Sequence, residues 1–104
     1  MTNVVFKNRD GALSGFTLSG HAGAGDAGYD IVCSAISSAA YMTANMLTEI
    51  FNEQLTADVR DGFMSIALSD GASPVASDIL KGFKLHMEQL CGQYPDFIKI
   101  TTEV

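Results

Sequence analysis

The hydrophobic pattern begins with two short strands joined by a tight turn. Val4 and Phe6 share one face of a predicted first strand, and Phe16 and Leu18 share one face of a second. The Asn-Arg-Asp-Gly segment at 8–11 is typical of a hairpin turn. The pattern therefore predicts an antiparallel pair at the start of the chain.

A helical pattern follows over residues 30–52, with Asp30 as the expected N-cap. Residues 31–48 carry no charge, and these 18 positions reach the length of a membrane-spanning helix. Six Ser, Thr and Asn side chains interrupt them, and no basic anchor flanks them. The pattern favours a helix in the core of a small domain, and no membrane partner is expected.

The rest of the chain predicts a second hairpin, a second helix and a last strand. Apolar residues alternate on both sides of the Asp61-Gly62 turn. Ser73 and Pro74 open a helix over 74–93 as N-cap and first residue, and 97–102 forms the fifth strand. The order β-β-α-β-β-α-β predicts an α+β fold of two layers, with a mixed, largely antiparallel sheet and two helices packed on one face.

Length and charge narrow the class of protein. The 104 residues suffice for one domain, 1–104, and acidic residues outnumber basic ones by 12 to 6. Six cations cannot neutralise many phosphates, which argues against nucleic acid and favours a basic protein partner. Two cysteines do not make a disulfide framework, and no signal peptide opens the sequence, so we expect a cytoplasmic location.

The segment before the long helix contains Gly23, Gly25 and Gly28 as a literal G-x-G-x-x-G, with Asp26 among them. This is the dinucleotide fingerprint, but an antiparallel hairpin follows where a parallel βαβ unit is required. The alternative is a flexible loop. A metal site built from His21, Asp26, Asp30 and Cys33 would be a poor zinc site, so we expect neither metal nor cofactor.

Cys33 and His21 are candidates for nucleophilic catalysis. If Asp30 caps the helix, Cys33 is its third residue, near unpaired N–H groups and the positive end of the dipole, which favours thiolate. His21 ends the preceding strand at the other side of the same loop, within possible reach of Cys33. The alternative is a small buried cysteine and a loop histidine, and the spacing alone does not decide between them.

Two neighbouring motifs resemble a known family. Gly-His-Ala at 20–22 is followed by the glycine loop and by Gly-Tyr-Asp-Ile-Val-Cys-Ser-Ala-Ile-Ser at 28–37. This combination closely resembles the signature of the ribosomal-processing cysteine proteases, the Prp family, and the element order fits that family over nearly the whole chain. The sequence departs from the family at Ser34, where members often have Ala.

The resemblance implies a small, homodimeric, cytoplasmic endopeptidase that removes an N-terminal extension from ribosomal protein twenty-seven of the bacterial large subunit. By this match Cys33 is the nucleophile and His21 its base and later acid. Asp30 either orients His21 or only caps the helix, and the adjacent Ser34 has a supporting position. The loop at 22–28 is expected to close over the substrate. The alternative function is a non-catalytic, ribosome-associated protein-binding module.

Overall fold

The computed structural model describes the backbone of residues 1–20 and 27–103 and the side chains of 1–20 and 31–103. Five strands form one sheet in the order β3-β4-β2-β1-β5, and every neighbouring pair is antiparallel except β1 and β5, which run parallel. The predicted α+β fold is confirmed. The elements are β1 (Thr2–Arg9), β2 (Ala12–Ser19), α1 (Ala27–Asn45), β3 (Leu55–Arg60), β4 (Phe63–Leu68), α2 (Pro74–Gln93) and β5 (Ile98–Glu103).

The first hairpin has the predicted turn and the predicted inward faces. Val4 pairs with Leu18 and Phe6 with Phe16, and all four side chains are buried on the same face of the sheet. The turn residues Asp10 and Gly11 have φ values of 53° and 82°. Positive φ at both central residues matches the twist of an antiparallel pair, and Asp-Gly tolerates it better than most dipeptides.

The two helices contribute to one core over this face. Ala76, Leu80, Phe83, Met87 and Leu90 are the buried residues of α2. The Phe83 ring lies 4.5 Å from the Phe16 ring, centroid to centroid. The predicted bounds of α2 agree with the structure. Leu80 is fully buried in the core, whereas the neighbouring Ile79 is only half-buried.

Helix α1 begins earlier than the sequence predicts. It starts at Ala27, so Asp30 lies in the first turn and the expected N-cap role of Asp30 is wrong. Gly28 likewise belongs to the helix and not to the preceding loop. Nothing from Ala27 onward stops a helix: Ala is the best helix former, and one Gly costs only about 1 kcal/mol.

Only one side of α1 is buried. Val32, Ile36 and Ala40 enter the core, whereas Ile31 and Met42 are 63% and 62% exposed. After Asn45 the helix continues as a wider π-helical turn over Met46–Ile50. The segment Ile31–Ile50 is long and apolar enough to cross a membrane by length and composition, and 28% of it is buried. The expectation of a core helix is therefore correct for one face only.

Candidate active site

A cleft lies at the end of the sheet where β2 and β3 end and β1 and β4 begin. Helix α1 closes it from the core side, and the cavity has a volume of about 380 Å³. Its walls come from every element except α2 and β5. The lining residues are Thr2, Leu18, Ser19, Gly20, Cys33, Ser37, Tyr41, Val59, Arg60, Asp61, Gly62, Phe63 and Met64.

Helix α1 presents a line of three side chains to this cleft. Cys33, Ser37 and Tyr41 are spaced four residues apart, so they lie on one face of the helix, one turn above another. Cys33 is half-buried and carries a free thiol, whereas Ser37 and Tyr41 are exposed. The free thiol of Cys33 therefore faces the cleft from a fixed position on the helix.

The early start of α1 changes which backbone groups are available near the sulfur. Cys33 follows Ala27 by six positions and is not the third residue of the helix. Beyond the first turn, each N–H of an α-helix donates to the carbonyl four residues earlier. By this rule the N–H groups of Cys33 and Ser34 are used within the helix, and the groups without an intrahelical partner belong to its first turn.

The first strand reaches the sulfur from the opposite side. Oγ1 of Thr2 lies 3.7 Å from Sγ of Cys33, within hydrogen-bond distance for sulfur, and either atom can be the donor. Thr2 itself is held in place, because its backbone N donates to the carbonyl oxygen of Phe97 at 2.9 Å. The cysteine thus contacts a fixed strand as well as its own helix.

Gly20 is packed too tightly for any side chain. Its φ of 128° is unfavourable for other residues, and a Cβ would lie 2.5 Å from the backbone oxygen of Met1. Its N–H donates to the carbonyl oxygen of Gly62 at 3.1 Å, which ties the end of β2 to the turn between β3 and β4. This close approach places Gly20, which precedes His21 in the sequence, beside the start of β1 at one wall of the cleft.

The charged residues of the cleft lie at the turn between β3 and β4. The guanidinium of Arg60 lies 4.3 Å from the centre of the Phe63 ring and 3.2 Å from the carboxylate of Asp58. Among the described residues that line the cleft, Arg60 and Asp61 are the charged ones. Aromatic stacking and an ion pair hold the guanidinium above the ring.

The comparison with protein families gives a match over nearly the whole chain. The family model of the cysteine protease Prp matches residues 1–99. The chain belongs to the Prp family. Membership makes it a cysteine protease and overturns the alternative of a non-catalytic binding module. None of the curated proteins compared with the chain matches it.

Solved structures share the whole Prp fold. SMU.848 from Streptococcus mutans is 32% identical, with a TM-score of 0.81 over 99% of this chain and 96% of the other. The essential ribosomal processing protease Prp from S. aureus, in complex with a substrate peptide, is 23% identical, with a TM-score of 0.90 over 99% and 100%. The same protease with a covalently linked product peptide is 24% identical, with a TM-score of 0.88 over the same shares.

The predicted site residues fall into three groups in this Prp-family structure. Cys33 lines the cleft, as its assignment as nucleophile requires. Ser34 is exposed and is not among the lining residues, because it lies on a different face of α1. Gly28 and Asp30 lie in the first turn of α1. The others, His21, Gly23, Gly25 and Asp26, lie outside the described residues, as does most of the predicted substrate loop.

Several residues of the cleft were not predicted from the sequence. Tyr41 had a usable signal, because it lies two helical turns after Cys33 on the same face. Thr2 had no such signal beyond its alternation with Val4. The sequence of a strand does not indicate which helix residue each of its side chains will contact. The Arg60–Phe63 pair flanks a predicted turn, but its proximity to Cys33 depends on the order of the strands.

Proposed function

We propose that this Prp-family protease removes the N-terminal extension of ribosomal protein twenty-seven of the bacterial large subunit, using Cys33 and His21 as a catalytic dyad. The observation that carries the proposal is the half-buried thiol of Cys33, which opens into a cleft across the ends of the strands. Gly20 lines the same cleft and immediately precedes His21 in the chain. This adjacency supports a histidine within reach of the sulfur.

The chemistry is acyl transfer in two steps. The thiolate of Cys33 attacks the scissile carbonyl carbon, the peptide C–N bond breaks, and His21 gives the leaving amine its proton. Water activated by His21 then attacks the thioester, which releases the acid and restores the thiol. Side chains of a helix tilt toward its N-terminus, and the first turn of a helix leaves backbone N–H groups without an intrahelical partner. We assign the stabilisation of the oxyanion to these groups.

An extended peptide suits the shape and charge of this site. The S. aureus protease was solved with a substrate peptide and with a covalently linked product peptide, and that likeness supports a similar placement here. The chain has a net charge of −6, which favours encounter with a basic ribosomal protein. Asp30 lies in the first turn of α1, where its charge suits the positive end of the helix dipole, and we propose that it also orients His21.

We further propose that the protein acts in the cytoplasm as a homodimer. A groove of about 650 Å³ lies between α1 and α2, and Met42, Met46 and Ile79 are among its lining residues. Large apolar side chains remain exposed along α1, including Met42 and Ile50 at 62% and 68%. A contiguous apolar surface of this kind is typical of a protein–protein interface, and a second copy of the chain is the proposed occupant.

Mass spectrometry of the products tests the catalytic assignment. The purified protein is incubated with the extended ribosomal protein, and we expect one new amide cleavage near the junction of the extension. Cys33→Ala should abolish the product, whereas Cys91→Ser is the matched control and should keep it. Cleavage by the Cys33→Ala variant at the original rate would overturn the dyad, and absence of cleavage by the unmodified protein would overturn the substrate.

A further inference from the structure

Thr2 occupies a core position with an unusual contact. It begins β1 on the same face as Val4 and Phe6, and it is only 6% exposed. The alternation of the strand calls for an apolar residue at this position. Thr2 instead has a hydroxyl, and its Oγ1 lies 3.7 Å from Sγ of Cys33.

A second buried threonine, Thr43, makes a different kind of contact with its hydroxyl. Among the described residues, Thr2 and Thr43 are the buried polar ones. The hydroxyl of Thr43 donates to the carbonyl oxygen of Ala39, one turn earlier in the same helix, at 2.8 Å. That bond is local and common for threonine in helices. The hydroxyl of Thr2 instead reaches from the sheet to another element, to a residue 31 positions away.

We propose that Thr2 is a positioning residue for the nucleophile. Its hydroxyl donates a hydrogen bond to the thiolate of Cys33 and holds the sulfur toward the cleft, while its methyl group packs in the core. The proposal rests on the proposed role of Cys33 as the nucleophile. No proton or electron is transferred in this step: the O–H bond stays intact, and the thiolate only accepts.

Rigidity makes Thr2 suitable for this task. The N–H of Thr2 donates to Phe97, and Thr2 pairs with Ile98 of the parallel β5, so the strand cannot shift with the helix. Gly20 packs against the backbone of Met1 and Thr2, which fixes the strand from the other side. A hydrogen bond to a charged acceptor is about twice as strong as one between neutral groups. The hydrogen bond should therefore be strong enough to hold the charged sulfur in one position for attack.

The test compares four variants of the full-length protein, each with its purification tag at the C-terminus. Thr2→Val keeps the shape and removes the hydroxyl, and Thr2→Ser keeps the hydroxyl and removes the methyl group. Thr2→Ala removes both groups, and Thr43→Val removes the other buried hydroxyl. Two rates are measured: turnover of the extended ribosomal protein, and alkylation of Cys33 by iodoacetamide, followed by mass spectrometry. Alkylation needs no peptide binding, so it reports on the sulfur alone.

We expect Thr2→Val to lower kcat and the alkylation rate of Cys33 by about tenfold, with KM changed less than twofold. Thr2→Ser should recover most of both rates, even if its Tm falls, and Thr43→Val should keep both. Equal rates in Thr2→Val and the unmodified protein would overturn the proposal. So would a Thr2→Ser variant as slow as Thr2→Ala, a comparison that remains available if Thr2→Val does not fold.

The same measurements separate this proposal from the one it rests on. If Cys33→Ala keeps its turnover, the nucleophile is wrong and the contact with Thr2 has no catalytic meaning. If Cys33→Ala is inactive and Thr2→Val reacts normally, the nucleophile stands and only the role of Thr2 is overturned.

Discussion

The two cysteines of this protein are chemically alike and differ in what surrounds them. The thiol of Cys33 lines the cleft and contacts Thr2, whereas that of Cys91 donates to the carbonyl oxygen of Ile98 at 3.5 Å, against the core. Both are half-buried. The two thiols are therefore distinguished by the groups around them and not by their degree of burial, and the groups around a thiol control its reactivity.

The first residue-scale prediction concerns the proposed dyad. Cys33→Ala and His21→Ala should each lower turnover by several orders of magnitude, because no acyl intermediate forms without the sulfur and its base. Removing one half-buried sulfur should cost about 1 kcal/mol or less of unfolding free energy, since little core volume is lost. Turnover and urea unfolding are measured together, with Cys91→Ser as the control. Turnover well above background in His21→Ala would contradict its assignment as the base.

Gly20 carries the second residue-scale prediction. Gly20→Ala places a methyl group against the backbone oxygen of Met1 at a φ of 128°, and strained backbone of this kind costs of order 1–3 kcal/mol. We expect a lower Tm and reduced kcat, because the wall that joins Gly20 to Gly62 must move.

The control is Gly92→Ala, on α2, where an added Cβ meets nothing within 4 Å. Alanine is the better helix former, so this variant should be unchanged or slightly more stable, with normal turnover. A Gly20→Ala variant with the same Tm and kcat as Gly92→Ala would show that the close approach at Gly20 does not matter.

At the scale of elements, the helix and the sheet divide the work of the site. Helix α1 supplies Cys33, Ser37 and Tyr41 as one line of side chains, and the ends of β1 and β2 supply Thr2 and Gly20. A helix holds its side chains at a fixed spacing, and a sheet holds its strand ends by hydrogen bonds. The proposed nucleophile, Cys33, therefore lies between a helix and the strand ends, an arrangement that suits a preorganised site.

The glycine-rich segment at 22–28 gives the element-scale prediction, which the sequence alone supports. Replacing Gly23 and Gly25 together with Pro should reduce turnover with little change in Tm, because the substitution restricts backbone torsions that a substrate-covering loop needs. Peptide cleavage and thermal unfolding are compared with a Gly23→Ala, Gly25→Ala double variant, which leaves more backbone freedom than proline does and should keep more of the turnover. Normal cleavage by the proline double variant would leave the segment as a connector only.

At the scale of the molecule, α1 has one side in the core and the other on the surface. Its exposed apolar residues and the groove beside α2 leave a surface that a second copy would cover. The same distribution explains why the segment Ile31–Ile50 meets the length and hydropathy of a membrane span. One face of α1 is apolar because it packs in the core, and the apolar residues on its other face would contact the proposed second copy.

The whole-molecule prediction is a dimer that a single charge disrupts. The protein should sediment as a dimer at micromolar concentration, and Met42→Lys, in the groove between α1 and α2, should shift it toward monomer, since an unpaired buried charge is costly. Val75→Lys introduces the same charge at an exposed apolar residue that does not line the groove, and it should remain dimeric. A monomer in the absence of any substitution would contradict the proposal.

The sequence by itself determined the local elements and the class of chemistry. Turn residues such as Asp10-Gly11 and Asp61-Gly62 specify hairpins through their own torsions, and Pro74 sets the start of α2. The catalytic class was also readable, because the His21 and Cys33 motifs lie within one short stretch of chain. The sequence misplaced the start of α1, because Asp is favourable both at the N-cap and in the first turn of a helix, so Asp30 does not fix where the helix begins.

Tertiary structure alone decided which distant residues meet. The parallel pairing of β1 with β5 and the position of β4 beside β2 have no local signature, since both follow from how the strands and helices pack together. That packing brings Thr2 to Cys33 and Arg60 to the same cleft, and it selects which face of α1 is buried. A strand pattern specifies inward and outward faces, whereas the neighbour of each face depends on contacts between residues far apart in the chain.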